Sequence, residues 1–411
     1  MSSDRFIPFL KKDIVQMCAE RLNQHGDNTE FATFCTLLIN RIHYEYHQKL
    51  ESLKDHYAPF DPDKVTRNLR SVTPEDKIAS QKAFAKEFAE LLDSANFEQI
   101  TDADLQDALT EESLFKVRLE VSFSDFAEVV FYRRGESKKT EVLRSFWGLR
   151  KKPLTFTNYD RVAVYITFKD EAYFKAQSKT PFGFTPGSTI VKLFQNVPKA
   201  DLEMLFPNSE VRMRPIDKVV IGSSAAIGGV VVLVTKLGAS ILLLASLFAF
   251  WLGLKDEAVE VTTQHLITLG IGLGVFGSFI FKEWSKFKNR KIKFMKALSD
   301  NLYFKNLDNN SGVFHTLIDA AEEEDCKEAI LAYTFLLQAP SEGLTDEKID
   351  QQIEQWFKDK YDCELDFDVA DALDKLVRME LVHYTGTHYT PRPINEAVKV
   401  LDEYWDGLHE F

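Results

Sequence analysis

A chain of 411 residues exceeds one ordinary domain of about 150 residues and suffices for two to three, each with a sizeable core. At 45% hydrophobic and 27% charged it has the composition of a globular protein, which excludes wholesale disorder; a mean hydropathy of -0.21 excludes a polytopic transporter. The net charge of -13 is segregated, because residues 305–411 hold 9 basic against 25 acidic side chains, a net of -16 that leaves +3 for everything before.

Cys18, Cys35, Cys326 and Cys363 lie far apart with no CxxC pair, so no disulfide framework or zinc knuckle is expected, and the default compartment is a reducing one. Met1 to Lys12 has neither the apolar core of a signal peptide nor the Arg- and Ser-rich character of a transit sequence, which places the N-terminal half in the cytoplasm.

From Phe6 to about Leu109 apolar residues keep a three-to-four spacing, as in Leu37, Leu38, Ile42 and Tyr46, and in Phe84, Phe88, Leu91 and Leu92. This predicts a helical bundle over 1–115. Between Lys116 and Arg214 the period changes to two, with Val162, Val164, Ile166 and Phe168 alternating against Ala163, Tyr165 and Thr167. A mainly antiparallel sheet of about five strands over 116–217 follows.

Residues 218–282 contain three uncharged stretches: 219–235, 237–254 and 261–281, of 17, 18 and 21 residues. As helices they reach roughly 25 to 32 Å, against a hydrocarbon core of about 30 Å. The first is rich in Gly, Ser and Ala, a composition that suits close helix packing, within the chain or between copies through Gly222, Ala226 and Gly229. Basic residues flank both ends of the region, with Arg212, Arg214 and Lys218 before it and seven basic against one acidic residue over Lys282 to Lys296. The loop Lys255 to Glu260 holds one Lys and three acids. Basic flanks stay cytoplasmic, which favours a hairpin of 237–254 and 261–281 with 219–235 shallow, re-entrant or a third span. A basic juxtamembrane helix is expected over 283–304.

Beyond it, helices are expected over Leu302 to Gln338, from Thr345 or Asp346, and along Val369, Leu373, Leu376, Val377 and Leu381. Leu381 to Tyr384, a Gly386-Thr387 turn and Tyr389 then suggest a hairpin, so 305–411 reads as an acidic, winged-helix-like domain able to fold alone. The fold class is an α+β membrane protein with a helical bundle, an antiparallel sheet, a transmembrane hairpin and this last domain.

Several strings are familiar together: HYEYHQKLESLKDHYAPFDPD from His43, VPKADLEMLFP from Val197, LYFKNLDNNSGVFHTLIDAAEEEDCKEAILAYTFLL from Leu302, and DFDVADALDKL from Asp366. In this order, over nearly the whole chain, they resemble the transmembrane protein 143 family. The resemblance implies a membrane protein with a domain of unknown function and brings no catalytic residues. Members in eukaryotes are associated with mitochondria; this chain departs from them in lacking a presequence, and a multi-pass protein of a bacterial inner membrane is expected, with N- and C-terminal domains cytoplasmic.

His43 and His47, four apart on a predicted helix, are the metal-ligating candidates, weighed against a polar pair fixed by hydrogen bonds. Glu45 points to the opposite side and cannot serve a HExxH site. Asp61 and Asp63 in PFDPD read as turn-capping carboxylates, since the spaced oxygens of a calcium loop are missing. Nucleic-acid binding is excluded for the winged-helix-like domain by its charge. Residues Arg133 to Lys152 carry eight basic side chains, Arg133, Arg134, Lys138, Lys139, Arg144, Arg150, Lys151 and Lys152, around Trp147. This is a solvated loop or a patch for anionic lipid, with Lys282, Trp284, Lys286, Lys288, Arg290 and Lys291 as its juxtamembrane counterpart. With no phosphate loop or nucleophile motif, the favoured function is a non-enzymatic adaptor or regulatory scaffold at the cytoplasmic membrane face. Its partners are membrane lipids and a basic protein docking on the acidic domain, and no cofactor is expected. The alternative is a membrane-tethered enzyme or metal-binding protein using His43 and His47.

Overall fold

The computed structural model describes residues 5–22, 29–64, 73–110, 118–145, 150–180, 183–208, 210–212, 223, 226–232, 234–235, 238–254 and 262–408. Two compact units result, one made of 1–111, 123–202 and 305–411, the other of 112–122 and 203–304.

The first unit begins with α1 (Lys11–Leu22), α2 (Thr29–Tyr57) and α3 (Pro74–Ser94). Thr73 caps α3, its hydroxyl accepting from the Asp76 amide at 3.1 Å, with Pro74 supplying a fixed φ in the first turn. After β1 (Glu98–Ile100) and α4 (Asp102–Thr110) come the two long strands β3 (Phe126–Ser145) and β4 (Arg150–Phe168), then α5 (Glu171–Ala176) and β5 (Thr189–Pro198). The intervening β2 (Arg118–Glu120) pairs with β6 (Glu210–Arg212) in the second unit. Chain order resumes in the first unit with β7 (Asn306–Asn309), and the five-stranded antiparallel sheet is ordered β1-β3-β4-β5-β7. The expected sheet of about five strands is present, but its two edges come from outside 116–217. Beyond the reach of β1 and β5, residues 137–145 and 150–157 continue as a two-stranded ribbon.

The segment expected as one helix over 302–338 is broken by β7. Asn310, at φ 51°, turns the chain into α8 (Ser311–Leu337), and its side-chain oxygen accepts from the Val191 amide and the Tyr57 hydroxyl. A single polar residue thus ties α2, β5 and α8. α8 is buried almost continuously from Glu324 to Leu336, which needs neighbours on every side of a helix with 3.6 residues per turn. Those neighbours include α1, α2 and α3 from the N-terminal hundred residues. Phe34 stacks on Tyr333 at 4.2 Å, and Tyr57, Phe84, Phe88, Tyr165 and Phe314 join α2, α3, β4 and α8 in one aromatic cluster. One core therefore spans what the sequence divides into 1–115, 116–217 and 305–411. The physical reason is that α8 has no solvent face to stand alone with.

After α8, Leu344 exchanges both backbone hydrogen bonds with Tyr389, at 3.1 and 2.8 Å. Then follow α9 (Asp346–Tyr361), α10 (Val369–Arg378), the hairpin β8 (Val382–Tyr384) and β9 (Tyr389–Pro391), and α11 (Ile394–Gly407). Leu373, Leu376 and Leu381 are buried as their spacing predicts.

The second unit holds helical residues 226–232, α6 (Gly238–Trp251) and α7 (Thr263–Lys305). One helix among the described residues, Leu266–Lys286 within α7, is long and apolar enough to cross a membrane. α6, at 14 residues, is about 21 Å long and shorter than the 237–254 span expected. Residues 283–304, expected as a separate basic helix, are the continuation of α7. Gly228 and Gly229 lie against the Phe279 ring, so part of the small-residue stretch packs within the chain; Gly222 lies outside the described residues.

Candidate functional site

The run Glu322-Glu323-Glu324-Asp325 on α8 points four carboxylates about 100° apart, around the whole helix. Each finds a different partner. Glu322 accepts from His43 Nδ1 at 2.7 Å and Lys11 Nζ at 3.3 Å; Glu323 accepts from the Lys11 amide at 3.2 Å. Glu324 is buried between the Ile7 amide at 3.0 Å and Lys327 Nζ at 2.7 Å, and Lys327 also donates to the Ile7 carbonyl at 3.1 Å. Asp325 accepts from the Tyr46 hydroxyl at 2.6 Å and faces Lys375 Nζ of α10 at 2.7 Å.

Lys375 also pairs with Asp371 one turn away, and Glu328, 3% exposed, completes the group. One oxygen each of Asp325, Glu328 and Asp371 lies within 4.8 Å of the others. Among the described residues no hydrogen bond or ion pair within 4 Å reaches Glu328. Burial raises the Asp325 carboxyl by more than Lys375 lowers it, and raises Glu328 well above the ordinary glutamate value. Burial works against the Lys375 ammonium, yet Asp325, Asp371 and Glu328 together hold it above the usual lysine range. A salt bridge alone would lower its acid. The rise at Asp325 means that burial, with repulsion from Asp371 added, outweighs the one cation. Such a set holds a divalent cation only if Lys375 withdraws, since its ammonium already stands where a cation would. The clue in the sequence was the charged run EEEDCKE leading directly into AILAYTFLL on one helix.

His43 and His47 share an exposed face of α2 and line a cavity with Tyr44, Asp402 and Trp405. Glu322 holds the His43 ring, and among the described residues no third metal-ligating atom closes on the pair. Glu45 turns the other way, to Arg41 and Arg378, and Asp61 accepts from the Asp63 amide at 2.9 Å in the expected capping turn.

The basic stretch divides in two. Lys138 and Lys139 lie exposed on the ribbon, Lys139 reaching Asn196 at 2.9 Å. The backbones of Arg144, Arg150, Lys151 and Lys152 continue it in the registers Arg144↔Lys151, Ser145↔Arg150 and Leu143↔Lys152, whereas Trp147 is outside the described residues. Arg133 and Arg134 instead stand at the ribbon's foot, in a cavity of about 370 Å³ with Arg5, Asn96, Asp160 and Arg161 on its walls. Arg133 is taken by Glu98 at 3.2 Å and by Glu136. Arg134 lies between the rings of Phe6 and Phe97, 5.1 and 5.2 Å away. Its burial, partly offset by Glu324 and reinforced by Arg161, lowers its pKa. On α7, Lys282, Trp284, Lys286 and Lys288 are exposed, with Lys288 Nζ 4.3 Å above the Trp284 ring; Arg290 and Lys291 follow on the same helix.

Residues 159–312, from β4 through the apolar helices to the first turn of α8, match the family model described as "Protein of unknown function (DUF3754)". No solved structure matches the chain.

Proposed function

We propose that the protein is a membrane-anchored adaptor, with α7 and α6 as the arms of a hairpin and the first unit presented at the cytoplasmic face of a bacterial inner membrane. One observation carries the anchoring. Among the described residues, large exposed apolar side chains concentrate in 227–304, and elsewhere only Phe6, Leu10, Ile78, Phe123 and Tyr384 are of that kind. The Leu266–Lys286 stretch is 6% buried, apolar surface that a soluble fold would cover. The ribbon's lysines and arginines favour an anionic surface. The resemblance to the transmembrane protein 143 family fits this reading.

The adaptor role draws on the acidic side of α9. There Asp350, Glu354, Asp359, Glu364 and Asp366 line an open groove beside Trp356, outnumbering Arg21, Lys348 and Lys358 on its walls, an excess that suits a basic protein segment. The order helix, Leu344 bridge, two helices and hairpin supports a winged-helix-like reading of this end, used for protein contact rather than for nucleic acid. The metal-binding alternative keeps the shared face of His43 and His47, and metal analysis of purified protein decides it.

A reporter active only in the cytoplasm, fused at residue 200 and at residue 411, should give signal at both sites, and the protein should resist alkaline carbonate extraction. A silent C-terminal fusion would mean an odd number of crossings, and release by carbonate would remove the anchor. Charge reversal of Asp350, Glu354 and Asp359 to Lys should abolish recovery of a crosslinked partner. Unchanged recovery would remove the groove from the reading.

A further inference from the structure

We propose that the cavity at the foot of the β3–β4 ribbon binds a single phosphate group carried on a small hydroxylated molecule. Arg134 and Arg161 are direct partners across the β3–β4 ladder, and like charges placed opposite each other destabilise a sheet. Among the described residues, neither has a carboxylate within 4 Å. Each makes one hydrogen bond, to a backbone carbonyl: Arg134 to Ala95 at 3.2 Å and Arg161 to Asp160 at 3.1 Å. A guanidinium carries five N–H donors in a planar fork that matches phosphate oxygens, so most of the donors on this pair are available. Arg134 is oriented by the rings of Phe6 and Phe97 and not by a counter-ion, which makes it a preformed anion contact.

The neighbouring acids are engaged elsewhere. Glu98 and Glu136 hold Arg133, and Asp160 accepts from Ser137 at 3.4 Å. Their presence on the same wall opposes a polyphosphate and suits hydroxyl donors, which limits the ligand to one phosphate with alcohol groups beside it. A cavity of about 370 Å³ is of the size that holds such a molecule. A soluble phosphate ester and a phospholipid headgroup both offer this chemistry.

The inference does not depend on the membrane hairpin, and carbonate extraction tests that separately. Calorimetry on the full chain in neutral detergent should show saturable, single-site binding of glycerol 3-phosphate that equal ionic strength in sodium chloride does not mimic. Full chain in nanodiscs should melt higher with phosphatidylglycerol than with phosphatidylcholine if the headgroup is the source, and equally in both if the source is soluble. Arg161→Gln should weaken whichever response occurs at least tenfold, and Arg134→Met should do the same. Lys86→Gln, exposed on α3 and outside the cavity, should leave it unchanged. Should Arg134→Met fail to fold, Arg161→Gln decides. No response to either probe, or an equal response in Arg161→Gln, overturns the site.

Discussion

Replacing Lys375 by Met removes the cation that faces Asp325 at 2.7 Å and pairs with Asp371. Asp325 and Lys375 are both buried, at 2% and 9% exposure, and breaking such a pair from one side costs about 3–5 kcal/mol because the other charge stays behind. That is a loss of roughly 10²- to 5 × 10³-fold in the folding equilibrium. It should depend on pH in a definite direction. Without the ammonium, Asp325 and Glu328 bind protons more tightly folded than unfolded, so stability falls as pH rises above the unfolded carboxyl values and through the raised folded ones. The deficit against the parent should therefore be largest near pH 8 and shrink toward pH 5. Urea unfolding of the full chain, followed by tryptophan fluorescence, reads it through Trp356, which packs at 5.6 Å from Phe335 of α8. Adding Asp325→Asn should restore part of the loss, since the Tyr46 hydroxyl can still donate to the amide oxygen. A deficit under about 1 kcal/mol, or one equal at both pH values, would refute the counter-ion reading.

Other outcomes follow from the same geometry. The parent protein should unfold at lower urea near pH 8 than near pH 5.5, because burial and then Glu354 and Asp366 raise Asp350 to about 6, adding to the raised Asp325 and Glu328; Asp350→Asn should flatten the profile. Burial pushes Cys18 and Cys326 up to about 12 and Cys35 upward too, so iodoacetamide should label Cys363 in native protein and reach the other three only in urea. Gly343, at φ 82°, has the Tyr389 carbonyl where a Cβ would stand, so Gly343→Ala should cost about 1–3 kcal/mol or more by parting the Leu344–Tyr389 bridge. A fragment of residues 305–411 should show no cooperative melt by circular dichroism, since α8 would expose the faces that α1, α2 and α3 cover.

Local periodicity made much of this fold legible. Leu38, Ile42 and Tyr46, with Phe84, Phe88, Leu91 and Leu92, are buried on the spacing that marks them, and the alternation Val162 to Phe168 is a central strand. Long-range closure was not legible. β1 and β7 are short and polar, Glu-Gln-Ile and Asn-Leu-Asp-Asn, and no period in three or four residues announces an edge strand. The cavity arginines were legible as charge and not as place. A run of eight basic residues reads as one patch, whereas the strand register sends Arg134 and Arg161 face to face and leaves Lys138 and Lys139 in solvent.

The acidity of residues 305–411 carries a similar correction. Taken as a surface, a net of -16 is one large electrostatic field; in the fold Glu324, Asp325 and Glu328 are inside, and Lys11, His43 and Tyr46 reach from the N-terminal helices to Glu322 and Asp325. This part of the charge works as internal wiring between segments three hundred residues apart. Removing Glu324 strips the buried Lys327 of its nearest counter-ion and should destabilise the unit at neutral pH. Acids face solvent on α9, α10 and α11, and on α9 burial and then repulsion from Glu354 and Asp366 raise Asp350. Under the adaptor proposal, a basic segment covering the groove on α9 would relieve the repulsion at Asp350, while Glu364 already has Lys358. The adaptor reading is thereby narrowed from a whole domain to one helix face.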